Sequence, residues 1–175
     1  KFMSTIAITN SSHPKIQSVE IPASIAGATL NDLLQVVSAD FLLVTLTGSR
    51  IDLGARTIER LVQIAEDSRA GFVYADFREQ NEKGEISDHP LMDYQLGSIR
   101  DNFDFGSVIL LSRQAINNAI TKYGAISNDL QFGAFYDLRL KLSIDSNILR
   151  VPEPLYTRSV LDGRVSGEKI FDYVD

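Results

Sequence analysis

The segment that most constrains this chain is Asp40-Phe-Leu-Leu-Val-Thr-Leu46, an apolar run of strand length with no alternation of polar residues. Side chains alternate faces along a strand, so a strand wet on one side alternates in polarity. An unbroken apolar run needs cover on both faces, as in a parallel sheet with helices packed on it. Patterns on either side supply such helices. Leu30, Leu33, Leu34 and Val37 fall at i, i+3, i+4 and i+7, one face of a helix, and Thr29 with Asp32 makes a weak capping pair at its start. After the run, Ile58, Leu61, Val62 and Ala65 mark a second helix, with Arg56, Glu59, Arg60, Gln63 and Glu66 on its solvent side.

The same alternation of short apolar runs and helical faces extends along the chain. Ser4 to Thr9 predicts a strand, ended by the turn-rich Asn10-Ser-Ser-His-Pro14; Lys15 to Ile21 predicts another, ended by Pro22. Gly71 to Ala75 and Phe105 to Leu111 are further strands, and the polar stretch from Arg78 to His89 between them is a hairpin or loop. Ile116, Ala119, Ile120 and Tyr123 mark a third helix, while Asp137 to Leu142 alternates without a turn and suits helix or strand. Short strands follow at Ile148 to Val151 and Leu155 to Arg158, split by Pro152 and Pro154. The order is βαβ early and more mixed late, which predicts an α/β fold with a mixed, mostly parallel sheet flanked by helices. A single domain is expected over residues 1–160, with 161–175 as a C-terminal extension of weak periodicity. The start at Lys1-Phe2-Met3 and the uncapped stop at Phe171-Asp-Tyr-Val-Asp175 suggest a piece of a longer chain.

Composition narrows the function. A chain of 175 residues with 44% hydrophobic and 23% charged residues can bury an ordinary core. It has no cysteine, so disulfides and thiolate metal sites are excluded; this fits a reducing compartment, and the expectation is a cytoplasmic location, or one peripheral to a membrane through a longer parent chain. A net charge of −6 with scattered Lys and Arg argues against nonspecific nucleic-acid binding. No apolar stretch of about 18 residues is present to span a membrane. The two histidines, His13 and His89, sit beside proline in loop-like sequence without a third ligand at metal spacing, and are expected on the surface. No Gly-x-Ser-x-Gly elbow and no lysine-bearing phosphate loop appears. A glycine-rich loop with a basic residue near the first strand, as a nucleotidyltransferase would want, is also missing.

Three segments, in order, carry a family resemblance. The first is Asn31 through Asp40-Phe-Leu-Leu-Val44. The second is Gly71-Phe-Val-Tyr-Ala-Asp76, followed by Asp101-Asn-Phe-Asp-Phe-Gly-Ser-Val-Ile-Leu110. The third is Tyr136-Asp-Leu-Arg-Leu-Lys-Leu142 with Ile148-Leu-Arg-Val-Pro-Glu-Pro-Leu-Tyr156. Together they resemble the family 2 glycosyltransferases, which have the nucleotide-diphospho-sugar transferase fold. The resemblance runs over roughly residues 4–158. It implies a sugar nucleotide as donor, a carbohydrate hydroxyl as acceptor, a role in polysaccharide biosynthesis and a divalent ion, Mn or Mg, on the donor diphosphate. The family's first strand–helix unit is missing if Ser4 to Thr9 is its second strand.

Two departures stand out. Hard ions take carboxylate oxygens, yet the family's metal-binding acids fall here on Leu46-Thr47-Gly48. Asp52, a few residues on, is the nearest substitute, and no metal ligand is assigned. The acidic pair that supplies the base of inverting members falls on Ala134-Phe135. Asp137 is the nearest catalytic candidate and Asp129 the second. Asn31, Asp76, Asp104 and Tyr94 are the candidates for donor and acceptor binding. Each has a plainer reading: Asp137 in a helix cap or salt bridge, Asp104 bonding amides in a turn. Among the aromatics, Tyr94 and Phe77 lie in polar surroundings and are the better candidates to stack on a sugar. A non-catalytic relative that binds carbohydrate or a partner, or an inactive fragment of a larger transferase, is the alternative reading.

Overall fold

The structure, a computed structural model, describes residues 3–4, 14–97 and 103–160. Twelve elements follow in order: β1 (Met3–Ser4), β2 (Ile16–Ile21), α1 (Gly27–Val36), β3 (Phe41–Leu46), β4 (Ser49–Leu53), α2 (Thr57–Ser68), β5 (Phe72–Gln80), β6 (Ile86–His89), β7 (Val108–Ser112), α3 (Arg113–Tyr123), α4 (Ala134–Asp145) and β8 (Ile148–Val160). The sheet runs β1-β2-β3-β7-β5-β8-β4, with β6 paired to β5. The fold is the expected mixed α/β arrangement with flanking helices. Its parallel character lies in β2, β3, β5 and β8, which all point one way, with direct parallel ladders β2/β3 and β5/β8. β7 runs against its neighbours β3 and β5, and β1, β4 and β6 also pair antiparallel, so pair by pair the antiparallel ladders are the more numerous.

The apolar run does what its composition demands. Leu42, Leu43 and Val44 are all buried, although successive side chains point to opposite faces. Val108 to Leu111 of β7 and Phe72 to Ala75 of β5 are buried in the same unbroken way. These three central strands are covered on both sides. The helical faces also match, with Leu30 and Leu34 of α1, Leu61, Val62 and Ala65 of α2, and Ile116 and Ala119 of α3 in the core. The ambiguous Asp137 to Leu142 is helical and lies within α4, which buries Ala134, Phe135, Leu138 and Leu142.

Local expectations fail in four places. α1 starts at Gly27, two residues before Thr29, and carries no side-chain cap. Its first amide is capped from elsewhere in the fold, Gly27 N donating to the Leu130 carbonyl at 2.8 Å. Pro152 and Pro154 do not split β8. The ladder to β5 passes from Ala75/Val151 to Phe77/Tyr156, so residues 152–155 bulge opposite Asp76. A bulge accommodates prolines because no ladder amide is needed there. β7 begins at Val108, not Phe105, because Gly106 turns the backbone at φ +72°. β4 was not anticipated. It follows β3 closely yet pairs with β8, with Asp52 opposite Thr157. Of the strand expected from Ser4 to Thr9, only Ser4 lies within the described residues; His13 and Asp101 also lie outside them.

Candidate functional site

In sheets of this kind ligands bind beyond the carboxyl ends of the parallel strands. Here that edge collects the ends of β2 and β3 and, because β7 runs backwards, the segment leading into β7. Thr47 N donates to the Ile21 carbonyl and Leu46 N to the Ser107 carbonyl, both at 2.9 Å. The turn through Gly48, at φ +100°, then leads into β4. The sequence candidates fall into two neighbourhoods around this edge.

The first is the loop before α4. Asn31, on α1, donates from Nδ2 to the Ile126 carbonyl and to Asn128 Oδ1, each at 2.7 Å. The loop lies so close to α1 that a Cβ at position 27 would collide with the Ser127 carbonyl, and only glycine fits there. Asp129 N donates to Ser127 Oγ and Leu130 N to the Ser127 carbonyl, which closes the turn. Asp129 itself is exposed, and its carboxylate has no hydrogen bond or ion pair among the described residues. Asp137 sits in the first turn of α4, with Oδ2 at 2.7 Å from Lys141 Nζ; that ammonium also donates to the Ala125 carbonyl at 3.1 Å. Asn31, Asp129 and Asp137 are thus joined through one loop. Ala134 and Phe135, where the family's acidic pair falls, are 0% and 2% exposed. Acids there would need buried partners that the core does not provide.

The second neighbourhood surrounds Asp76 at the bulge in β5. Arg150 grips its carboxylate with both ends of the fork, Nε to Oδ1 and Nη2 to Oδ2, each at 2.7 Å. Leu91 N donates to the same Oδ1 at 2.9 Å, and Arg150 Nη1 donates to Asp93 Oδ1 at 3.0 Å. Burial alone would raise the Asp76 carboxyl; the hydrogen bonds from Arg150 and Leu91 outweigh it and hold the group below its ordinary value. The loop after β6 is tied down by Tyr74, whose hydroxyl donates to the Met92 carbonyl at 2.6 Å and is pushed by burial up to about 12. Asp104 takes the turn role: its Oδ1 accepts from Gly106 N at 2.7 Å, while Oδ2 lies 3.7 Å from His89 Nε2. A side chain at Gly106 would meet the Tyr156 hydroxyl, and that hydroxyl accepts from Ser107 N at 2.8 Å. Tyr94 is part-buried against Phe103 and Phe105, with ring centroids 6.3 and 6.4 Å away, and its hydroxyl has no partner among the described residues.

One expectation changes here. Phe77 does not face a ligand: it is wholly buried, stacked between His89 at 4.4 Å and Tyr156 at 5.2 Å. A long run of buried β5 residues carried it inward. His89 is the surface histidine expected, its side chain 39% exposed, and it stacks on Phe77 between Glu79 and Asp104. Arg150, Arg139 and Tyr156 were not singled out from sequence. Arg150 had left a signal: an arginine inside the apolar Ile148-Leu-Arg-Val151 needs a buried acid, and Asp76 ends an equally apolar strand.

The residues present do not fit a divalent ion held as the family holds it. Leu46-Thr47-Gly48 offers no carboxylate, and Asp52 lies on β4 with Arg50 at 3.3 Å. No group of three His, Asp or Glu side chains suited to a metal converges among the described residues. No helix among those residues is long and apolar enough to cross a membrane.

No protein-family model matches the chain, and no curated protein matches it in sequence. Among solved structures it is similar to S. aureus TarS, residues 1–349, a glycosyltransferase, with a TM-score of 0.53 and 12% identity. The match covers 75% of this chain and 39% of that one, so the chain spans well under half the length of this structural neighbour. What the likeness establishes is the architecture: this chain has a glycosyltransferase-like fold.

Proposed function

We propose that this chain is a glycosyltransferase domain that takes a sugar from a nucleotide donor and delivers it to a carbohydrate hydroxyl. The observation that carries the proposal is Asp129, an exposed and unpaired carboxylate on a loop that Asn31 holds at the carboxyl edge of a glycosyltransferase-like sheet. A base must be free to receive a proton, and of the two catalytic candidates Asp129 alone is unpaired; Asp137 is occupied by Lys141. In the reaction the acceptor hydroxyl oxygen bonds to the anomeric carbon and its proton passes to Asp129. The bond from that carbon to the diphosphate oxygen breaks, and the nucleoside diphosphate leaves with the electron pair. Asn31 acts as a positioning residue for the loop.

A second reading, a module that binds carbohydrate or a partner without transfer, draws on a separate observation. Asp76 and Asp137 are both in ion pairs, and positions 46–48 and 134–135 carry no acid. The test is calorimetry and turnover with common sugar nucleotides, with and without Mn²⁺, on the native chain and on Asp129→Asn. Transfer that falls about 10²–10⁴-fold in Asp129→Asn with donor binding kept supports the enzyme. Donor or carbohydrate binding without any turnover in the native chain supports the module. Equal turnover in both forms removes Asp129 as the base.

A further inference from the structure

Arg139 on α4 has surroundings unlike those of the other part-buried arginines; Arg113 donates to an amide, Asn117 Oδ1, at 3.1 Å. Arg60, Arg150 and Arg158 each meet a carboxylate, on Glu153, Asp76 and Glu79. Arg139 meets three aromatic faces instead, with Cζ at 5.4 Å from the ring centroid of Phe105, 5.5 Å from Phe135 and 5.6 Å from Tyr136. No hydrogen bond or ion pair involves its guanidinium among the described residues, and its Nε is buried with no partner. Burial lowers its basicity from the ordinary arginine value. Aromatic faces attract the cation, but they do not accept from the N–H groups that radiate in the guanidinium plane. On the same ring of Phe105 lies Tyr94, whose hydroxyl is also buried and unpartnered among the described residues. Phe105 directly precedes Gly106 and Ser107, whose carbonyl joins the end of β3, and the Phe105 ring packs against Phe72 and Tyr74 of β5, so both orphaned donors lie against one aromatic cluster beside the central strands.

We propose that Arg139 and Tyr94 form a recognition point for a phosphoryl oxyanion. The group needed must be an acceptor, because arginine has only donors to offer. A negative group suits the site best, because the aromatic faces leave the buried Nε unmet and an opposite charge adds to a hydrogen bond there. A phosphoryl group has several oxygens, which allows one group to meet a guanidinium and a phenol together. That chemistry has two sources for a fold of this kind: the diphosphate of a sugar-nucleotide donor, or a phosphate carried by the acceptor. The point would serve a binding module as well as a transferase, so it does not depend on Asp129.

The experiment is calorimetry on the full 175-residue chain. The probes are UDP and inorganic diphosphate for the donor source, glucose 6-phosphate for the acceptor source, and glucose as the neutral control. At least one phosphoryl probe is expected to bind, more weakly as salt is raised, while glucose shows no Arg139 dependence. Arg139→Gln should weaken that probe about ten- to a hundredfold, the range of a hydrogen bond to a charged group. Arg139→Lys should fall between, since it keeps charge without the planar fork, and Tyr94→Phe should give a smaller loss. Tighter binding of UDP and diphosphate assigns the donor source; tighter glucose 6-phosphate assigns the acceptor. If Arg139→Gln unfolds, Arg139→Lys and Tyr94→Phe decide. The proposal is overturned if no phosphoryl probe binds the native chain at millimolar concentration, or if the folded variants bind as the native chain does. Arg139-dependent binding without turnover would sink the transferase reading alone; turnover with unchanged phosphoryl affinity in the variants would sink this one alone.

Discussion

The carboxyl edge holds two acids in opposite circumstances. Asp76 is buried, gripped twice by Arg150 and once by the Leu91 amide. Asp129 is exposed, and its carboxylate touches no donor among the described residues. In sequence Asp76 was a candidate for binding donor or acceptor and Asp129 a candidate base, and neither carried a sign of its partners. Their surroundings separate the roles. A carboxylate held below its ordinary pKa by fixed partners is a poor proton acceptor and a good structural tie, whereas a free one on a pinned loop can do chemistry.

Removing the grip should have the largest effect. Arg150→Ala leaves Asp76 buried without its counter-charge, and urea denaturation should register a loss of about 3–5 kcal/mol. A loss near zero would mean that the two acids are not as different as their contacts indicate. The same pair gives a pH signature. Asp76 has a lowered pKa in the folded state, so its stabilisation is full above the unfolded carboxylate value, roughly 3.9, and is lost as pH falls through the lower folded value. The urea midpoint of the native chain should drop over that acidic range, and the drop should flatten in Arg150→Ala.

Tyr156→Phe comes next. It strips the acceptor from the Ser107 amide, a buried group, for about 1–3 kcal/mol by thermal or urea unfolding. Asn31→Ala removes two bonds to the loop that carries Asp129, at about 1–2 kcal/mol. This variant sharpens the comparison, because transfer should fall although Asp129 is untouched. The smallest effect on stability belongs to Asp129→Asn, within about 0.5 kcal/mol, as for an exposed side chain without partners. A large destabilisation there would show that Asp129 is a structural acid like Asp76.

Much of the fold was legible because it rests on local periodicity. The unbroken Phe41 to Leu46 run signalled a strand covered on both faces, and the i, i+3, i+4 spacing found the buried faces of α1, α2 and α3. The candidate site was legible only as a set of names. That Asp104 bonds a turn amide followed from the residue type and its place before Gly106. That Phe77 points inward did not, because its polar neighbours Asp76 and Arg78 belong to a bulge and to an exposed hairpin. β4 escaped notice although Ile51 and Leu53 alternate with Arg50 and Asp52, because its partner β8 lies about a hundred residues further on.

The sequence by itself determined which stretches must be covered and which helix faces turn inward, since backbone geometry converts apolar spacing directly into sidedness. It also determined that no thiol chemistry is available. Tertiary structure alone decided which acid is bound and which is free. Arg150 reaches Asp76 across 74 positions of chain, and Asn31 reaches the Ile126 carbonyl across 95. A carboxylate's pKa and role depend on what lies within a few ångströms of it, and strand order, not nearness in the chain, sets that distance.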